Sequence, residues 1–200
     1  FRLADLAGMR VAVPSEVPTP VWCLLDDLRR AGVPADGLVR RPMPEAAAAL
    51  VAGEIDAALL LEPFAAALEE QGCTVWYAAA ARGPTAYSAL YATATRIAAL
   101  PDAFAALRRA LAAALAWMAA AAAEAIAETF APWFPDLPRR RLDRAVARYA
   151  ALGLWPATPG MPAEAMDRLA QAMLAAGVMA ADPGRAVWVD EAVARGMPVA

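Results

Sequence analysis

The chain has no histidine, no lysine and no asparagine, and all 18 of its basic residues are arginine. Without histidine there is no Ser-His or Cys-His pair and no imidazole ligand for a metal. Without lysine there is no phosphate-loop lysine and no amine for a Schiff base, and neither a glycine-rich phosphate loop nor a CxxC pair occurs. No catalytic constellation, cofactor or metal is therefore expected. The uniform use of arginine fits a GC-rich coding bias, so arginine by itself is no sign of function. The two cysteines, Cys23 and Cys73, fit neither a four-ligand zinc site nor a disulfide framework. Cys23 falls in an apolar helix and Cys73 is expected to open a strand, which predicts two unbridged, buried thiols.

A large excess of either charge is lacking too, with 18 basic and 21 acidic residues. A net charge of −3 and a pI near 5.1 argue against a nucleic-acid surface, which needs a concentrated basic patch. The one basic run, Arg139-Arg140-Arg141, is followed by Asp143 and Arg144 and is expected to be the solvated start of a helix. At 61% hydrophobic residues and a mean hydropathy of +0.42 the composition is apolar, yet much of it is alanine, whose methyl group contributes little. The longest uncharged stretch, Ala110 to Ala123, falls short of the roughly 18 to 20 residues that span a bilayer, and on that ground the chain reads as soluble.

What is present alternates. Met9 to Val13, Gly37 to Arg41, Ile55 to Leu61 and Thr74 to Ala79 read as strands. Between them lie helical patterns around Trp22 to Gly32, Pro44 to Ala52 and Phe64 to Gln71. That order predicts an α/β lobe with a parallel or mixed sheet. One more β-like run, Tyr87 to Thr93, precedes an all-helical C-terminal part. There Phe104, Leu107, Leu111, Leu115 and Met118 form one apolar stripe, and further helices are expected over Arg139 to Leu152 and Ala163 to Ala176. The predicted division is an α/β lobe at 1–86, a hinge or crossover strand at 87–93 and a helical part at 94–200.

In such a sheet, ligands bind beyond the carboxyl ends of the strands, where loops enter helix N-termini. Three junctions qualify: Val13-Pro14-Ser15-Glu16 running to Thr19-Pro20, Arg41-Pro42-Met43-Pro44, and Leu61-Glu62-Pro63-Phe64. Ser15 and Thr19 carry hydroxyls, either of which also fits a helix N-cap. Glu62 stands at the end of an apolar strand, where a carboxylate either faces a polar cleft or pairs with the dipole of the helix behind it. Glu16 and Glu62 could approach across the strand ends, although carboxylates at helix starts are common. Tyr87 is the best stacking candidate, at the passage between the two halves of the chain.

These residues carry a resemblance. Leu3-Ala4-Asp5-Leu6-Ala7-Gly8-Met9-Arg10-Val11-Ala12-Val13, then Ala52-Gly53-Glu54-Ile55-Asp56-Ala57-Ala58 and Glu62-Pro63-Phe64, resemble the second lobe of type II periplasmic binding proteins of the nitrate, sulfonate, taurine and thiamine-precursor branch. The helix at Ala103 to Met118, the Phe134-Pro135-Asp136 turn, Arg148-Tyr149 and Gly153-Leu154-Trp155 are similar to that branch's helical tail.

The resemblance implies a periplasmic-binding-protein-like fold that closes by a hinge on a small organic anion or heterocycle and delivers it to an ABC permease. It implies ligand contacts at Ser15, Thr19 and Glu62, with Tyr87 near the hinge, and Glu16 joins them as a candidate from its junction. It also implies a periplasmic or membrane-anchored extracytoplasmic location. No leader precedes Phe1, so a signal peptide would lie outside these residues. Relatives carry an upstream segment that supplies the sheet of lobe one. In its absence the stripe of Leu107 and Leu111 is expected to be uncovered, which leaves open self-association through that face. A sensor or scaffold module of the same fold is the alternative. A pyrimidine-precursor synthase is disfavoured, since the resemblance implies histidine and a pyridoxal cofactor for such an enzyme.

Overall fold

The computed structural model describes residues 1–184 and 189. At its centre three short strands, β1 (Val11–Pro14), β2 (Leu38–Arg41) and β3 (Ala57–Ala58), pair in the order β2-β1-β3, all parallel. Val11 lies opposite Leu38 and Ala57, and β1 is buried along its whole length. A central parallel strand is covered on both faces, which is why Val11, Ala12 and Val13 run apolar without alternation.

Helix α1 (Pro18–Ala31) connects β1 to β2 and ends at Gly32, whose φ of 66° is the left-handed conformation that closes helices. Helix α2 (Met43–Val51) connects β2 to β3, and α3 (Phe64–Glu69) follows. Gly37 is required for a different reason. A Cβ there would come within 2.0 Å of the Met9 carbonyl oxygen, so the backbone entering β2 passes too close to that entering β1 for any side chain.

Two expected strands are absent. Thr74 to Ala79 carries no strand, and Val75, Trp76 and Tyr77 are exposed. Backbone pairing of the third strand with β1 runs only from Asp56 to Leu59, so the sheet's edge is too short to template a fourth strand. Trp76 and Tyr77 instead gather around Phe1, with ring centroids 5.9 and 5.7 Å away. Tyr87 to Thr93 is likewise irregular, with Leu90 and Tyr91 largely exposed. Thr93 is the N-cap of α4 (Ala94–Ala99), its side-chain oxygen accepting from the Arg96 N–H at 3.2 Å.

The helical remainder follows expectation closely: α5 (Pro101–Ala120), α6 (Ala123–Phe130), α7 (Arg139–Ala151) and α8 (Ala163–Ala175). The expected helical region beyond 184, apart from 189, lies outside the described residues. Helix α8 packs on α1, and α6 packs on α7.

Helix α5 corrects the argument from length. It has 20 residues, a mean hydropathy of 1.3 and nothing buried, so by length and composition it could cross a membrane. The uncharged stretch underestimated it because the helix starts nine residues earlier, at Pro101, and ends before Ala123. Arg108 and Arg109 fall near its middle, where a charge is expensive in hydrocarbon.

Candidate functional site

Because all three strands are parallel, their carboxyl ends lie along one edge of the sheet, and the three junctions meet there. The Ser15 N–H donates to the Arg41 carbonyl at 3.1 Å and prolongs the β1–β2 ladder. Glu16 then reaches across: its Oε1 accepts from the Met43 N–H at 2.8 Å, and its Oε2 accepts from the Ser15 hydroxyl at 3.1 Å. Met43 is the first residue of α2, so Glu16 satisfies one of the free N–H groups at that helix's start. The Met43 N–H is the main reason the Glu16 carboxyl is held below its ordinary pKa. Neither Ser15 nor Thr19 caps α1, since Val17 holds the N-cap position without a side-chain hydrogen bond.

Glu62 behaves differently. Only 5% of its side chain is exposed, and it lies between two elements far apart in sequence. Its Oε2 accepts from the Ala66 N–H at 3.0 Å in the first turn of α3, and its Oε1 lies 3.0 Å from Arg148 Nη1 on α7. That contact is an ion pair by distance, yet neither atom makes an aligned hydrogen bond. The Glu62 N–H donates to the Tyr149 hydroxyl at 3.3 Å. The Tyr149 ring meets Trp155 edge-on, with centroids 6.2 Å apart, and Trp155 meets Phe130 in the same way at 6.3 Å. Burial raises the Tyr149 pKa, with the nearby Glu62 carboxylate adding to it.

Tyr87 is half exposed, and its pKa is raised first by burial and then by the electrostatic influence of Tyr149 and Cys23. Cys23 is buried and Cys73 half-buried, and both are free thiols. Thr19 precedes Cys23 by one turn on α1, on the same helical face. Thus Glu62 is brought together with Arg148 and Tyr149, while Ser15 and Glu16 are engaged at the start of α2.

Arg148 and Tyr149 escaped the sequence reading as site residues. A signal for the first was present: a buried glutamate needs a cation, and Arg141, Arg144 and Arg148 recur at helical spacing. An open cavity of about 610 Å3 lies beside Arg148, lined also by Glu69, Cys73, Thr74, Arg144 and Ala147. Among the described residues no group of three or more carboxylates or thiols could hold a metal. The cluster can exchange hydrogen bonds through the Tyr149 phenol, and its guanidinium is already shared between Glu62 and Glu69.

No curated protein and no solved structure matches the chain. A family model does match, that described as NMT1/THI5 like, over residues 2–125. The matched span contains the whole sheet, the three junctions and Tyr87, and ends inside α6. Its members generally bind substrates and are typically extracytoplasmic, although THI5 members act in thiamine synthesis. From Arg2 to beyond the end of α5, this chain belongs to the NMT1/THI5-like family of nitrate, sulfonate and thiamine-precursor binding proteins.

Proposed function

We propose that this protein is the solute-binding component of an ABC-type importer, taking up a small organic anion or heterocycle by hinged closure outside the cytoplasm. The observation that carries the reading is the meeting of Glu62, Tyr149 and Arg148 beyond the carboxyl ends of a parallel sheet, where open α/β sheets bind their ligands. Ser15 and Glu16 lie at the neighbouring junction of the same edge, at the start of α2. The guanidinium of Arg148 is neutralised by two carboxylates, so tyrosine hydroxyls are the groups that greet a solute. This favours a polar heterocycle over free nitrate. The permease is the expected macromolecular partner.

Calorimetric titration of the intact protein with an aminopyrimidine, taurine and nitrate tests the reading. The aminopyrimidine is expected to bind tightest, and Tyr87→Phe and Tyr149→Phe are each expected to weaken it about 3- to 10-fold, the worth of one hydrogen bond. No heat with any of the three solutes, or affinity untouched by both substitutions, would remove the site from consideration.

A further inference from the structure

The apolar residues of this chain form two clusters that do not merge. One, under the sheet, holds Ala12, Ala46, Ala49 and Ile55; the other, between α6 and α7, holds Ile126, Ala127, Leu142 and Val146. Between them stands α3, which buries Ala66 and Leu68 and is joined to α7 by ion pairs. Helix α7 turns Leu142, Ala145 and Val146 inward and presents Arg141, Arg144 and Arg148, spaced by three and four residues, to α3. Arg141 Nε lies 2.7 Å from Glu70 Oε2, Arg140 Nε lies 3.0 Å from Glu70 Oε1, and Arg144 Nη1 lies 3.5 Å from Glu69. Arg148 bridges Glu69 and the buried Glu62.

An interface of this kind separates more easily than an apolar one. Its outer pairs are partly solvated, so water and salt ions replace them at little cost, whereas parting an apolar seam exposes hydrocarbon to water. The flanks of the α6–α7 pair also permit motion. On one side it follows α5, which buries no residue fully and whose Met118 packs on the pair, and on the other it leads into the irregular stretch 154–162 after Gly153, with φ 63°, whose Trp155 packs on the same pair. Helix α8 beyond that stretch is docked separately on α1.

We infer that the α6–α7 pair is a lid, held over the Glu62 site by the arginine–glutamate seam between α7 and α3 and released as a unit when that seam parts. Opening withdraws Arg148 and Tyr149 from Glu62 and uncovers the strand ends. That solute enters by this route rests on the proposed solute-binding reading; the parting of the seam does not.

Cys73 supplies a native reporter, because it lines the cavity beside Arg144 and Arg148 and is half-buried. Its alkylation by uncharged N-ethylmaleimide would be followed by peptide mass spectrometry in the full chain at low and high salt. The same measurement would be made on the Glu69→Gln/Glu70→Gln variant, with amide exchange of β1 recorded in parallel. The Cys73 rate should rise about tenfold on going to 1 M NaCl, where screening acts within about 3 Å. The variant should show that rise already at low salt, and β1 amides should stay protected throughout. Rates that ignore both salt and neutralisation overturn the lid, as does a rise matched by loss of β1 protection, which means general unfolding. A salt-responsive Cys73 in a protein that binds none of the three solutes would keep the lid and remove the transport reading.

Discussion

Asp26 has 0% of its surface exposed, so its charge depends wholly on its partners. Its carboxylate meets Arg29 and Arg30 at 2.9 Å and Arg82 at 3.2 Å, and Arg82, 7% exposed, also reaches Asp27 and the Thr85 hydroxyl. The Arg82 carbonyl in turn accepts from Arg168 on α8. One residue of α1 thereby ties the loop before Tyr87 and the helix after the lid to the sheet unit. Removing one member of a buried ionic group leaves the others uncompensated, so Asp26→Ala should lower unfolding free energy by about 3 to 5 kcal/mol. Urea denaturation followed by far-ultraviolet dichroism would measure it, and a loss below about 1 kcal/mol would place Asp26 among surface ion pairs.

Among the elements, those built on strong local patterns were legible. Proline at the starts of α1 and α2, glycine after α1 and the 3.6-residue stripes of α5, α7 and α8 bring their observed bounds within a few residues of expectation. The runs at Thr74 to Ala79 and Tyr87 to Thr93 were misread because strand propensity describes a residue's fit to a pleated, half-buried surface, and no neighbouring strand offers one here. Gly37 was illegible for the same reason, since the approach of the Met9 carbonyl is made by the fold. Gly37→Ala should therefore cost about 3 kcal/mol, the upper range for overpacking, although φ at this position is not left-handed. Thermal melting of the variant measures this, and an unchanged midpoint would mean that β1 and β2 part without penalty.

For the molecule as a whole, α5 leaves apolar surface uncovered, with Leu107 43% and Leu111 37% exposed. Residues so exposed contribute little to folding, so Leu107→Glu/Leu111→Glu should shift stability by no more than about 0.5 kcal/mol per site. A loss of several kcal/mol in denaturant titration would mean that this face is packed in solution. Composition alone determined that the chain carries no imidazole and no lysine amine, because this depends only on which side chains the chain contains. Local order determined the α/β alternation and the three junctions, because helix periodicity and proline and glycine punctuation act over a few residues. Tertiary structure alone decided that Glu62 is buried against Arg148, that its N–H meets the Tyr149 hydroxyl, and that Glu16 serves α2. Contacts between residues 27 to 87 positions apart, as these hydrogen bonds are, depend on how whole elements pack, and no window of neighbouring residues encodes them.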